Sequence, residues 1–119
     1  MNIEAFRAYC LAKPRATESF PFDEETLVFK VMGKMFALTG LEYQSARANL
    51  KCDPEWSIEL REQYDGLIYP GYHMSKKHWN TIELERNLPD ALIRELIDHS
   101  YHLVVSKMPR RLRDQLPRE

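Results

Sequence analysis

Apolar residues recur three and four positions apart in three segments of the chain, which predicts helices over residues 3–13, 54–65 and 90–108. The second helix has a clear start, because Asp53 is a good N-cap and Pro54 suits the first helical position. The third segment carries the widest apolar stripe. It is long enough to cover a sheet.

Between these helices the period of the apolar residues changes to two, which is typical of strands. Residues 27–41 are predicted to form a hairpin that reverses at Gly33-Lys34. Residues 47–52 form a further predicted strand, apolar on one face, whose other face carries Arg47, Asn49 and Lys51. Shorter strands are predicted at 67–69 and 81–84. The order predicts an α+β fold with an antiparallel sheet, covered by helices on one face and open on the other.

Length and composition favour one domain over residues 1–119, since 119 residues with 44% hydrophobic content suffice for one packed core and are too few for two. The N-terminus does not resemble a signal peptide, and no stretch is apolar enough to span a bilayer, so we expect a cytoplasmic protein without membrane contact. Two cysteines predict reduced thiols. A formal net charge of -1 means that any anion site must be local.

The segment from Tyr69 to Asn80 combines aromatic, cationic and hydrogen-bonding side chains around a Pro-Gly turn. Lys76 and Lys77 would supply point charges to a phosphate, His73 and His78 hydrogen bonds, and Tyr72 or Trp79 a stacking face. The alternative is that the aromatic residues anchor the core and the lysines only solvate the turn. The histidines have no neighbouring ligands for a closed metal site, so no metal is predicted.

Catalytic chemistry has weaker support in the sequence. Cys52 precedes a predicted helix, which can activate a thiol, but it falls on the apolar face and no base can be assigned to it. His99 and His102 are interpreted as hydrogen-bonding residues at a helix edge. No glycine-rich phosphate loop is present, and we expect a non-catalytic protein without a cofactor.

Four segments, VFKVMGKMFAL, NLKCDPE, YPGYHMSKKHWNTIEL and ELIDHSYHLVVSKMPRRLR, together resemble the MmcQ/YjbR family. The resemblance implies a CyaY/frataxin-like fold and DNA binding of the "double wing" type. It also marks characteristic family positions, which are Lys51, Lys76, Lys77, His78 and Trp79. It does not imply iron binding, because the first helix has Glu4 as its only acid and lacks an acidic row.

The resulting hypothesis is DNA binding through phosphate contacts of Lys51, Lys76, Lys77, Arg110 and Arg111. Asn49 and His78 would add hydrogen bonds, and Trp79 would support the loop. The alternative is a module that binds a small anionic ligand or a protein partner on the same surface, with His73, His78 and Lys76 around a pocket. Both interpretations require that cations from distant segments share one surface.

Overall fold

The computed structural model describes residues 1–41, 45–71 and 74–117. In chain order the elements are α1 (Ile3–Leu11), β1 (Ala16–Ser19), β2 (Thr26–Val31), β3 (Lys34–Gly40), β4 (Arg47–Lys51), α2 (Pro54–Gln63), β5 (Ile68–Pro70), β6 (Trp79–Glu83), α3 (Asp90–Ser106) and α4 (Arg110–Arg113). This order confirms the α+β class predicted from the alternation of apolar periods.

The six strands form one antiparallel sheet in the order β1-β2-β3-β4-β6-β5. The predicted hairpin is β2–β3, and its reversal lies one residue earlier than expected, at Met32 and Gly33, which both have positive φ (50° and 82°). The edge strand β1 was not predicted. Its four residues, ATES, are too few and too polar to show an apolar period.

The helices cover one face of the sheet, as the alternation in the strands predicted. α1 packs on β1, α3 lies across β2, β3 and β4, and α2 packs against β5. The main core lies between these layers. Its largest fully buried side chains include Phe6, Phe29, Phe36, Ile82 and Ile93.

The opposite face of the sheet has a small apolar cluster of its own. Val28, Leu38 and Trp79 are buried there, with Met35 and Met74 packed against them. Within the described residues no helix covers this face. Its polar side chains therefore decide what the open face can bind.

A β-bulge interrupts the pairing of β2 with β3. Phe29 pairs with Ala37 and Lys30 pairs with Met35, so Phe36 is the extra residue. Its backbone carbonyl has no strand partner there and instead accepts a hydrogen bond from Ser100 Oγ on α3 (2.5 Å). The same hydroxyl accepts from the backbone N–H of Lys51 (2.9 Å), where the pairing of β4 with β3 has ended.

The start of α2 agrees with the sequence prediction, because the Asp53 side chain accepts from the backbone N–H groups of Glu55 and Trp56, both at 3.1 Å. The helix ends at Gln63, two residues earlier than predicted. A turn follows, and Gly66 adopts φ 78°, the left-handed conformation that favours glycine. No helix among the described residues is long and apolar enough to cross a membrane.

Candidate anion-binding site at one end of the sheet

Three lysines meet at the end of the sheet where β3 begins and β4 ends. Lys34 is the first residue of β3, Lys51 is the last of β4, and Lys107 follows the C-terminus of α3. Together they line a pocket of about 330 Å³. Its remaining lining residues are apolar: Met35, Val104, Met108 and Pro109.

Within the residues that the structure describes, the positive charge of this pocket is not compensated. No acidic residue lines it, and none of the three lysines forms an ion pair with another residue in the described part of the chain. The pKa of Lys51 is lowered, first because the side chain is partly removed from water and second because the charge of Lys107 repels its own. An anion in the pocket would relieve this repulsion.

The turn before β6 lies at the same end of the sheet. Lys51 pairs with Trp79 across β4 and β6, and the backbone N–H of Cys52 donates to the carbonyl of His78 (2.8 Å). Lys76 and Lys77, which precede His78 in this turn, are exposed. The two lysines of the family-like motif therefore lie close along the chain to the strand pair that contains Lys51.

Arg61 on α2 fixes the position of this turn. Its Nη2 donates to the backbone carbonyl of Lys76 (2.5 Å), and its Nε donates to Asn80 Oδ1 (2.8 Å). Asn80 is itself buried and donates from Nδ2 to Ser57 Oγ (3.2 Å). Arg61 thus acts as a positioning residue for the turn that carries the exposed lysines.

The cations of α4 lie next to the lysine pocket along the chain. Pro109 lines this pocket and directly precedes Arg110. Arg110 and Arg111 are both exposed, and Arg110 lies 3.8 Å from the carboxylate of Asp114. We call the group of cations that lie at this end of the sheet the basic end. Its members are Lys34, Lys51, Lys76, Lys77, Lys107, Arg110 and Arg111.

Two side chains predicted for the site have other roles. Trp79 is only 9% exposed and packs against Val28 and Leu38, so it supports the sheet and offers no open stacking face. Asn49 is also 9% exposed, and its Oδ1 accepts a hydrogen bond from Thr81 Oγ1 (2.6 Å). Asn49 does not line the lysine pocket; it lines a separate pocket further along the open face.

Of the two predicted histidines, His78 belongs to the described residues. His78 is half-buried in the turn before β6, with its carbonyl bound to the backbone of Cys52. His73 lies outside the described residues, as does Tyr72.

Lys34 and Lys107 were missed by sequence reasoning. Lys34 was assigned to the reversal of a hairpin, and Lys107 was assigned to the end of the predicted helix over residues 90–108. The pairing of β3 with β4 brings Lys34 beside Lys51, and the packing of α3 across the same strands brings Lys107 there.

Two residues considered for catalysis, Cys52 and His99, are buried or hydrogen-bonded within the fold. Cys52 is 3% exposed, and burial raises the pKa of its thiol despite a hydrogen bond with Ser57. His99 Nε2 accepts from the backbone N–H of Asp53 (3.0 Å), as expected for a hydrogen-bonding residue at a helix edge. Among the residues that the structure describes, no group of three or more His, Cys, Asp or Glu side chains is arranged to hold a metal ion.

A comparison with protein families decides the relationship of the chain. The family model YjbR matches residues 11–103. The chain belongs to the YjbR family. This confirms the resemblance carried by its motifs.

Two relatives from Escherichia coli match this YjbR-family protein over most of their length. It is 34% identical over 116 residues to the Escherichia coli K12 protein YjbR, covering 98% of each chain. It is 38% identical over 108 residues to YbdF of Escherichia coli O157:H7, covering 91% of this chain and 88% of YbdF.

Solved structures show the same fold. The protein DR2400 of Deinococcus radiodurans, which contains a domain named DUF419, superposes with a TM-score of 0.90 at 42% identity, over 96% of this chain and 86% of DR2400. A Pseudomonas syringae protein superposes with a TM-score of 0.75 at 30% identity, over 87% and 99% of the two chains. The antiparallel sheet with its flanking helices is therefore shared with proteins of known structure.

Proposed function

We propose that this YjbR-family protein binds DNA by contacting phosphates with the basic end. The observation that carries the proposal is the pocket lined by Lys34, Lys51 and Lys107, with no acidic side chain among its described lining residues. Phosphate contacts supply most of the sequence-independent affinity for DNA, and flexible lysines make such contacts without a fixed geometry.

The extent of the basic end favours a polymer over a single phosphate. Lys76 and Lys77 extend it along the turn before β6, and Arg110 and Arg111 extend it along α4. Seven cations exceed what one phosphate dianion needs, whereas successive phosphates of a duplex can each use one or two. Because the whole chain has a formal net charge of -1, we expect weak binding that is sensitive to salt.

Two finer statements belong to this proposal. One is that the mode of binding is of the double-wing type that the family resemblance implies. The other is a cytoplasmic location, which gives access to DNA and agrees with two free, buried cysteines.

Fluorescence anisotropy of a labelled duplex over a series of salt concentrations tests the proposal. If about five phosphates are neutralised, the logarithm of the affinity should fall with the logarithm of salt with a slope of about -4.5. Lys34→Ala, Lys107→Ala and Lys51→Met should each weaken binding and reduce the slope by about one. Methionine at 51 retains an unbranched apolar stem and removes the charge.

Arg86→Ala is the matched control. Arg86 is exposed and follows the opposite end of β6, so its removal changes the net charge equally without touching the basic end. The proposal is wrong if the wild-type protein does not bind duplex DNA at low salt. It is also wrong if Arg86→Ala weakens binding as much as the pocket variants do.

The size and the charge of the lysine pocket favour a second candidate, which is a small phosphorylated ligand. A volume of about 330 Å³ lies at the lower end of the range for small-molecule sites. A thermal-shift screen of phosphorylated metabolites separates the two candidates. Stabilisation by one compound that Lys51→Met abolishes, without duplex binding, would favour the small ligand.

A further inference from the structure

A second pocket lies on the open face of the sheet and has no part in the proposed phosphate contacts. Its volume is about 440 Å³, within the range of small-molecule sites. Its lining includes Leu38, Arg47, Asn49, Tyr69, Pro70 and Thr81. These residues come from β3, β4, β5 and β6, so the rigid sheet itself forms the floor.

Asn49 presents an unused hydrogen-bond donor to this pocket. Its Oδ1 is occupied by the hydroxyl of Thr81 (2.6 Å), while its Nδ2 has no partner among residues 1–41, 45–71 and 74–117. The side chain is nine-tenths buried, so the pocket is where its amide reaches solvent. A buried amide donor favours a ligand that brings an acceptor oxygen or nitrogen.

Arg47 is the one cation among the described residues that line this pocket, and its charge is compensated. Arg47 Nε lies 3.4 Å from Glu83 Oε2, and Glu83 is only 4% exposed. The same carboxylate accepts from the hydroxyl of Tyr69 (2.5 Å) and from Ser45 Oγ (3.2 Å). Burial, and then the hydrogen bond to Glu83, raise the pKa of Tyr69, so the phenol stays protonated. The described residues that line the pocket are thus formally neutral together with Glu83, which disfavours an anion.

The walls of the pocket suit a flat ring. Leu38 and Pro70 are apolar, and Tyr69 supplies an aromatic ring that is held by its hydrogen bond to Glu83. Aromatic and apolar walls with a few placed polar groups are the usual composition of sites for small rings.

We infer that this pocket binds an uncharged planar heterocycle that carries a carbonyl oxygen, which accepts a hydrogen bond from Asn49 Nδ2. The chemistry is shared by a free heterocycle and by an unpaired base in a nucleic-acid strand. The inference rests on different residues from the DNA-binding proposal, and either stands if the other fails.

The side-chain amide signals of Asn49 in a ¹H–¹⁵N NMR spectrum report this hydrogen bond directly. Titration with uracil should shift them, together with the backbone signals of Tyr69 and Thr81, with a Kd of about 1 mM or lower. Benzoate, a ring of similar size with a negative charge, should leave them unchanged at the same concentration. A short oligothymidylate provides a second arm, and a shift with the oligomer alone would assign the site to a base within a strand.

Two variants separate binding from folding. Asn49→Asp is close in shape and can still accept from Thr81, but it replaces the donor with an acceptor, so uracil should no longer shift the Tyr69 signals. Lys107→Ala at the basic end should bind uracil like the wild type. The inference is overturned if neither uracil nor the oligomer shifts the Asn49 signals, if benzoate shifts them as strongly, or if Asn49→Asp binds uracil normally while remaining folded.

Discussion

Ser100 holds the end of the sheet to α3, and its replacement gives a sharp test of how the basic end is built. The hydroxyl is fully buried and serves two backbone groups that have lost their strand partners. It donates to the carbonyl of Phe36 in the β-bulge and accepts from the N–H of Lys51. Ser100→Ala removes both hydrogen bonds and leaves no other side chain of α3 in their place.

The expected cost follows from those two groups. A buried backbone donor or acceptor that loses its partner costs about 1–3 kcal/mol, and a new methyl-sized contact recovers little of it. We therefore expect Ser100→Ala to lower the free energy of unfolding by about 2–4 kcal/mol. For a domain of this size, total stability is on the order of 10 kcal/mol, so the loss should be large.

Urea unfolding monitored by circular dichroism measures the change. The midpoint should fall by about 1–2 M with an unchanged slope, since the exposed area on unfolding stays the same. Ser106→Ala is the control, because Ser106 lies on the same helix but its hydroxyl is exposed and donates to the carbonyl of Leu103. A loss below about 0.5 kcal/mol, or equal losses for both variants, would refute the account of the bulge.

Three further predictions concern other parts of the molecule. Arg61→Ala should speed amide exchange at Lys76 and its neighbours and weaken DNA binding, and Arg61→Lys should not restore either, because an ammonium lacks the planar fork that reaches two acceptors at once. Burial lowers the pKa of His99, so the folded state binds its proton less readily than the unfolded state does. Stability should therefore fall as pH is lowered below about 6.5, and pH-dependent unfolding of His99→Gln should lack this component. Burial raises the pKa of both cysteine thiols, so Cys10 and Cys52 should resist iodoacetamide at pH 8 in the native protein and react after unfolding; rapid native labelling, read by mass spectrometry, would contradict this.

Local patterns were sufficient wherever a signal lies within a few residues. The alternation in residues 27–31 and 47–51 predicted strands with one covered face, and Asp53-Pro54 predicted the start of α2. β1 was not predicted because it has no apolar period of its own. It is a strand because it pairs with β2. The bulge at Phe36 was not predicted either, because the register between two strands cannot be derived from the sequence of one strand alone.

The sequence likewise identified some residues of the candidate site and missed others. Lys51, Lys76 and Lys77 could be selected from their motifs, and Arg110 and Arg111 from the basic tail. Lys34 and Lys107 could not, because their relevance depends on how β3 pairs with β4 and on where α3 crosses these strands. Asn49 was correctly placed on the open face, but only the structure shows that it faces a separate pocket in which Arg47 is paired with Glu83.

The sequence by itself determined the fold class, the helix starts, the covered and open faces of the sheet and the family, because each depends on the spacing or identity of nearby residues. Tertiary structure alone decided which cations meet, which remain uncompensated and which polar atoms keep a free donor. Those properties depend on distances between residues far apart in the chain, because a hydrogen bond needs its donor and acceptor within about 3.5 Å and salt screens exposed charges over about 10 Å.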